Sequence, residues 1–214
     1  MATVLHHCTR LVPLFAELSQ PAKDEIDALT QDRQLQKGEQ ITRPGDGERL
    51  VVVAHGLLKT YQLSASGKEQ LLSITKPGGY VGEQALLGAP NPNAYTEALQ
   101  ASTVCFIDRS DFTRLLLDHP RLSVALLTAT AKKIQRAEQQ TGYLADESVP
   151  DRIQAYLQDL RTEAGTDTVT IPFAWKELAN YLGTTPETMS RQLKIMTTAG
   201  MISRQGKTIT FLCQ

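Results

Sequence analysis

The chain is poor in the residues that most often carry chemistry. Its 214 residues hold three cysteines (Cys8, Cys105 and Cys213), four histidines and one tryptophan. No two cysteines form a C-x-x-C pair, which argues against a zinc ribbon or a thioredoxin-type centre. His6, His7, His55 and His119 are scattered, with no H-x-H pair. No G-x-S-x-G, P-loop or H-E-x-x-H run occurs, so the common hydrolase, nucleotidase and metalloprotease signatures are missing. No apolar stretch approaches the roughly 18–20 residues of a membrane helix. Met1-Ala-Thr-Val-Leu-His-His-Cys8 lacks the basic-then-apolar order of a secretory signal, so a cytoplasmic location and no membrane partner are expected. Formal charge is −1, so no global basic excess points to nucleic acid.

What is present fits an ordinary globular chain, 41% hydrophobic and 21% charged. From about Gln34 to Ile107, turn residues recur at Lys37-Gly38, Pro44-Gly-Asp-Gly47, His55-Gly56, Ser66-Gly67, Pro77-Gly-Gly79 and Ala89-Pro-Asn-Pro92. Most of these lie roughly 8–12 residues apart, as in an all-β sandwich or barrel. Leu50–Ala54, Leu57–Tyr61, Gln70–Ile74 and Thr103–Ile107 read as strands between them. Leu5 to Leu29 reads instead as one or two helical segments, broken or opened at Pro21.

After Asp108 the hydrophobic period changes. Ser110 to Asp118 suits a short helix, and Pro120 opens a long one reaching about Leu144. Leu122, Leu126 and Ala129 form one apolar stripe; Val124, Leu127, Ala131 and Ile134 form a second. Two stripes imply two buried faces, one able to pack on the β domain and the other on a second copy of the chain; a single wide core face is the alternative. Asp146-Glu-Ser-Val-Pro150 reads as a hinge. The expected domains are 1–109 (β-roll with an N-terminal helical segment), 110–146 (short helix, long helix and hinge) and 147–214.

The strongest pattern lies in the last of these. Trp175 to Leu182 reads as a helix with Leu178, Ala179 and Leu182 inward. Gly183 suits the positive φ of a tight helix-turn-helix turn. Thr185 is a natural N-cap and Pro186 a natural first helical residue, so a second helix is expected over Pro186–Thr198, stopped by Gly200. Glu187, Ser190 and Arg191 share one exposed side. An Arg bonds guanine O6 and N7, a Glu accepts from cytosine N4, and a Ser bonds a base or touches a thymine methyl. Thr184, Thr185, Thr188 and Lys194 complete the expected DNA-facing set. Met201–Arg204 and Lys207–Phe211 read as a two-strand wing turning at Gln205-Gly206, with Lys207 in reach of phosphate. From Lys176 onward five cations face two anions, a modest local basic excess.

Pro77-Gly-Gly-Tyr-Val-Gly-Glu83, the long helix, Leu182-Gly-Thr-Thr-Pro-Glu-Thr-Met-Ser-Arg-Gln-Leu193 and Ile202-Ser-Arg-Gln-Gly-Lys-Thr-Ile209 together resemble the cyclic-AMP receptor / fumarate-nitrate regulator (CRP/FNR) family over nearly the whole chain. The resemblance implies an α+β fold: a cyclic-nucleotide-binding-like β-roll (jelly roll), a long dimerisation helix and a C-terminal winged helix-turn-helix. It implies a homodimeric transcription regulator rather than an enzyme, with double-stranded DNA and RNA polymerase as partners. By the same resemblance Glu187, Ser190 and Arg191 read TTGA-type half-sites arranged as an inverted repeat.

The family's effector chemistry carries over less well. Cyclic-nucleotide members place an Arg-Ser pair where this chain has Asn91-Pro-Asn-Ala-Tyr95, so tight cyclic-AMP binding is not expected. Glu83 and Tyr95 are the pocket residues left to consider. Iron–sulfur members use an N-terminal cysteine cluster; with only Cys8 there, no cluster and no other cofactor is expected. Cys8 plus Cys105 looks like the redox-responsive FNR-like proteins of lactic bacteria, which implies an intramolecular disulfide switch. An unknown small effector in the β-roll stays open beside it, as does inert burial of Cys105. A haem or metal site at His6, His7 and Cys8 is a weaker expectation, because adjacent residues do not share a helix face. A cupin-like enzyme, suggested by the jelly roll, is the remote alternative.

Overall fold

A computed structural model describes residues 8–43, 49–146 and 148–212. The chain divides into two compact units, one of residues 1–68 and 72–133, the other of residues 69–71 and 134–214. The division falls inside the long helix rather than at its ends.

The first unit opens with α1 (Cys8–Leu11), a 3-10 turn at Pro13–Phe15 and α2 (Gln20–Leu29). Strands β1 (Gln31–Leu35), β2 (Gln40–Thr42), β3 (Arg49–His55), β4 (Leu58–Leu63), β5 (Glu69–Thr75) and β6 (Tyr80–Val81) follow. A one-turn helix α3 (Glu83–Leu86) precedes β7 (Ala94–Ala98) and β8 (Ser102–Asp108). Helices α4 (Arg109–Asp118) and α5 (Pro120–Ala145) close the series. The strands form two antiparallel sheets, ordered β1-β8-β3-β6 and β2-β7-β4-β5, the jelly-roll arrangement expected from the turn spacing. Helix α3 was not expected, since its four residues follow the glycine-rich turn and carry no helical period.

Alternation along the strands builds two cores. Val51, Val53 and Val104 from one sheet meet Leu58 and Ala98 from the other, filling the space between the sheets. Their neighbours Leu50, Val52, Cys105 and Ile107 turn to the outside of the first sheet. That outer face would be exposed in a bare sandwich. Here it is covered by Cys8, Val12, Phe15, Ile26, Phe112, Leu115, Leu122 and Leu126 from the helical segments. Both faces of β3 are therefore buried, which is why Leu50–Val53 is a continuous apolar run rather than an alternating one.

The two stripes of α5 separate as the spacing predicts. Leu122 and Leu126 are 1% and 3% exposed, whereas Val124, Leu127 and Ile134 are 63%, 68% and 55% exposed. Ala131 is exposed on the same strip.

The second unit contains α6 (Val149–Ala164), β9 (Thr168–Thr170), α7 (Trp175–Tyr181), α8 (Pro186–Thr198), β10 (Ile202–Gln205) and β11 (Thr208–Phe211). Ser148 caps α6 by accepting from the Asp151 N–H, and Gly165 ends it in the left-handed region. The three strands pair antiparallel in the order β10-β11-β9. Ile153, Leu157, Leu178, Leu182, Met189, Leu193, Ile202 and Ile209 are all at most 1% exposed and make the core of this small unit.

Candidate functional site

Helices α7 and α8 are joined by a turn in which Gly183 takes φ +65°. A side chain there would be strained by the backbone and would also press within 2.9 Å of Leu144 Cδ2. Thr185 then sets the start of α8: its backbone is extended and its Oγ1 accepts from the Thr188 N–H at 3.2 Å. That bond satisfies one of the amides a helix start leaves unpaired. Pro186 follows, where its missing N–H costs nothing.

From this start the two faces of α8 are determined. Met189, Leu193 and Met196 turn into the unit and are 0%, 1% and 7% exposed. Glu187, Ser190, Arg191 and Lys194 are exposed, and Thr188 is half-buried. The Glu187 carboxyl is held below the usual range, first by a hydrogen bond to its own backbone N–H and then by Thr185. At neutral pH it is an ionised acceptor in the first turn, where the helix dipole favours negative charge. Thr184 departs from the expectation of a DNA-facing residue. It is 6% exposed, and its N–H is bonded to the Ala179 carbonyl, so it belongs to the packed interior of the turn.

The wing is shifted by one residue from its expected register. Gln205 pairs with Thr208, so the two turn residues are Gly206 and Lys207. This is the hairpin turn with glycine at its first central position. It leaves Lys207 exposed at the tip. Trp175 Nε1 donates to the Gly206 carbonyl at 3.1 Å, and the Arg204 guanidinium lies 5.5 Å from the centroid of the Trp175 ring. The single tryptophan thus ties the wing to α7, a role the sequence pattern did not reveal.

The first unit holds the other expected residues. Cys8 and Cys105 are joined in a disulfide, with Cα atoms 6.7 Å apart and a separation of 97 in sequence. Cys8 is 1% exposed and Cys105 0%, so neither is a surface thiol. His6, His7 and Cys213 lie outside the described residues.

The two pocket candidates have separate partners. Glu83 is 5% exposed and its Oε1 accepts from Lys133 Nζ at 2.8 Å. Lys133 also donates to the Tyr80 carbonyl at 2.8 Å and sits 3.9 Å from the Tyr80 ring centroid. Tyr95 instead stacks on Tyr61, its register partner in β4, with centroids 5.4 Å apart. By strand alternation both rings turn away from the inter-sheet core that Leu58 and Ala98 enter. Lys133 was missed because a lone lysine on a long helix reads as a solvated charge. The available signal was its position, one turn beyond Ala129 on the buried stripe Leu122, Leu126, Ala129.

Neither group that the fold family implies fits these residues. For a cyclic phosphate, residues 91–95 offer no cation and the Glu83 carboxylate is already engaged by Lys133. An iron–sulfur cluster commonly takes four thiolates, and two cysteines converge among the described residues.

Comparison with known proteins finds two family matches along the chain. Residues 32–119 match the family described as "Cyclic nucleotide-binding domain", and residues 151–212 match "Crp-like helix-turn-helix domain". The chain is 53% identical over 207 residues to the Lacticaseibacillus casei protein described as "Probable transcriptional regulator flp", covering 97% of this chain and 94% of that one. It is 30% identical over 218 residues to the transcriptional activator protein Anr of Pseudomonas protegens, covering 96% and 88% respectively. Among solved structures, the c-di-GMP-responsive global regulator CLP of Xanthomonas campestris superposes with a TM-score of 0.74 at 22% identity, covering 92% of this chain and 100% of that one.

Replacing Thr185 by Ala removes the cap of α8. It is expected to lower stability by about 0.5–2 kcal/mol, with Thr185→Ser close to the parent. Urea denaturation measures this, and an unchanged midpoint for Thr185→Ala would show that α8 does not depend on the cap.

Proposed function

The chain belongs to the CRP/FNR family of transcription regulators, and on that basis we propose that it acts as a homodimer reading TTGA-type half-sites, with DNA binding controlled by the Cys8–Cys105 thiol pair. The observation that carries the reading is the face of α8. Glu187, Ser190, Arg191 and Lys194 stand exposed on a capped helix whose opposite face is buried. A helix of this kind enters the major groove with its N-terminal residues toward base edges. Arg191 is assigned to a guanine, Glu187 to a cytosine amine and Ser190 to a base or thymine methyl. Thr185 and Thr188 supply hydroxyls at the helix start, and Lys194 and Lys207 supply charge for phosphates.

Homodimerisation is supported by the exposed Val124, Leu127, Ala131 and Ile134. Exposed apolar residues repeating along one side of a helix suit a second identical helix better than water. A two-fold dimer reads an inverted repeat with half-sites about one helical turn apart. RNA polymerase is the further partner of a regulator so placed, in the cytoplasm. No helix among the described residues is long and apolar enough to cross a membrane.

Redox control is supported by the proximity of the two sulfurs. An oxidant such as hydrogen peroxide would take two electrons and both thiol protons and leave as two waters, forming the S–S bond. Control then requires that the oxidised and reduced chains differ in the population of DNA-competent arrangements. The self-paired Glu83 and the cation-free 91–95 segment speak against a cyclic nucleotide in this role, and the two thiolates against an iron–sulfur cluster. A small effector of another kind in the β-roll is the second reading, favoured by the family match over residues 32–119.

Two variants separate these claims. Arg191→Ala is expected to cost about 1–3 kcal/mol of specific binding and to relax preference at one guanine, measured by titrating half-sites with single-base changes; equal weakening on every sequence would place Arg191 on phosphate instead. A Cys8→Ser protein is expected to bind promoter DNA identically before and after peroxide treatment while the parent changes. A parent that ignores peroxide removes redox control.

A further inference from the structure

Beside the disulfide stands a third ligand-type atom. Cys8 Sγ, Cys105 Sγ and a carboxylate oxygen of Asp32 all lie within 4.8 Å of one another. The strand register explains the carboxylate: Asp32 of β1 sits directly opposite Cys105 of β8, and in an antiparallel pair such partners project to the same face. That face is the outside of the sheet, where α1 brings Cys8 over Cys105 while Asp32 stays exposed at its edge.

The S–S bond is not all that holds Cys8 in place. Its neighbour Thr9 donates through its backbone N–H and its hydroxyl to the two carboxylate oxygens of Asp27, at 3.1 and 2.9 Å. Both residues are buried, at 1% and 7% exposure. Leu11, three residues on, has its carbonyl where a Cβ on Gly78 would come within 2.4 Å, so the close approach requires glycine there. Val12 and Phe15 continue the anchorage in the core, at 2% and 0% exposure. Reduction therefore leaves two thiols and a carboxylate held together rather than a released N-terminal segment.

We propose that the reduced protein binds one Zn²⁺-class divalent cation at Cys8, Cys105 and Asp32. Two sulfur donors exclude the hard cations Mg²⁺ and Ca²⁺ and favour zinc. Zn–S bonds of about 2.3 Å and Zn–O bonds of about 2.0–2.2 Å need ligand atoms some 3.5–4 Å apart in a tetrahedron, so the two sulfurs must part to that distance when the S–S bond opens. Three protein ligands leave a fourth position for water. Binding requires both thiolates, so the thiol protons are released to solvent. Metal and disulfide exclude each other. Oxidation by peroxide takes one electron from each thiolate, the peroxide leaves as two waters with two protons from solvent, and the cation departs with its charge unchanged.

The inference stands apart from redox control of DNA binding, because its readout is metal binding itself. The probe is Co²⁺, added anaerobically to full-length protein reduced with a phosphine, followed by displacement with Zn²⁺. The expected result is a thiolate-to-Co²⁺ charge-transfer band saturating at one equivalent per chain, and bleached by zinc. Cys8→Ser, Cys105→Ser and peroxide treatment of the apoprotein each abolish the band. Asp32→Asn weakens binding at least about tenfold, the lower end of the loss seen when even a supporting group is removed from a metal site. Its unaltered circular dichroism and retained capacity to form the disulfide show that the fold persists. Absence of the band in the reduced parent overturns the proposal. So does an Asp32→Asn protein that titrates like the parent.

Discussion

A helix that buries one stripe must present the opposite one, and α5 and α8 both work under this constraint. In α8, burial of Met189, Leu193 and Met196 leaves Glu187, Ser190, Arg191 and Lys194 outside. Thr185 fixes where the helix begins, and with it the rotation at which each side chain emerges. In α5, burial of Leu122 and Leu126 against the helix-covered sheet face leaves Val124, Leu127 and Ile134 outside. One exposed face is polar and the other apolar; in the proposed reading the first meets base edges and the second its own copy. Packing thus decides what each helix offers, and the chemistry of the offered residues decides to whom.

The outer face of the β1-β8-β3-β6 sheet is where the first unit concentrates its other chemistry. Cys105 and Tyr80 project from it, and the helical segments that cover it contribute Cys8 and Lys133. Glu83, one of the two expected pocket residues, is taken up internally, its carboxylate paired with Lys133. The sulfur pair lies instead under α1, anchored by Thr9 and Asp27.

How much of this was legible depended on whether the signal was local. The helix-turn-helix was readable because Gly183, Thr185, Pro186 and Gly200 each act within a few residues of themselves. The two stripes of α5 were readable from period alone. The wing turn was misplaced by one residue because Gln205-Gly206 and Gly206-Lys207 are both acceptable hairpin pairs, and pairing with Thr208 decides between them. Thr184 was counted with the exposed set because its burial arises from packing in the turn rather than from its type. Asp32 and Lys133 were invisible for a deeper reason. The first acquires its neighbours through strand register across more than seventy residues, and the second through a buried stripe that ends in a charge. The burial of Cys8 likewise rests on the Thr9–Asp27 bonds, which join residues 18 positions apart.

The central claim is that the exposed face of α8, duplicated by a two-fold dimer, reads DNA sequence. Selection of bound fragments from a random double-stranded pool by full-length reduced protein tests it most directly. The account predicts enrichment of an inverted repeat of TTGA-type half-sites about one helical turn apart, lost when Glu187, Ser190 and Arg191 are replaced together by alanine. Enrichment of no sequence, or of the same sequence by the triple variant, would contradict it.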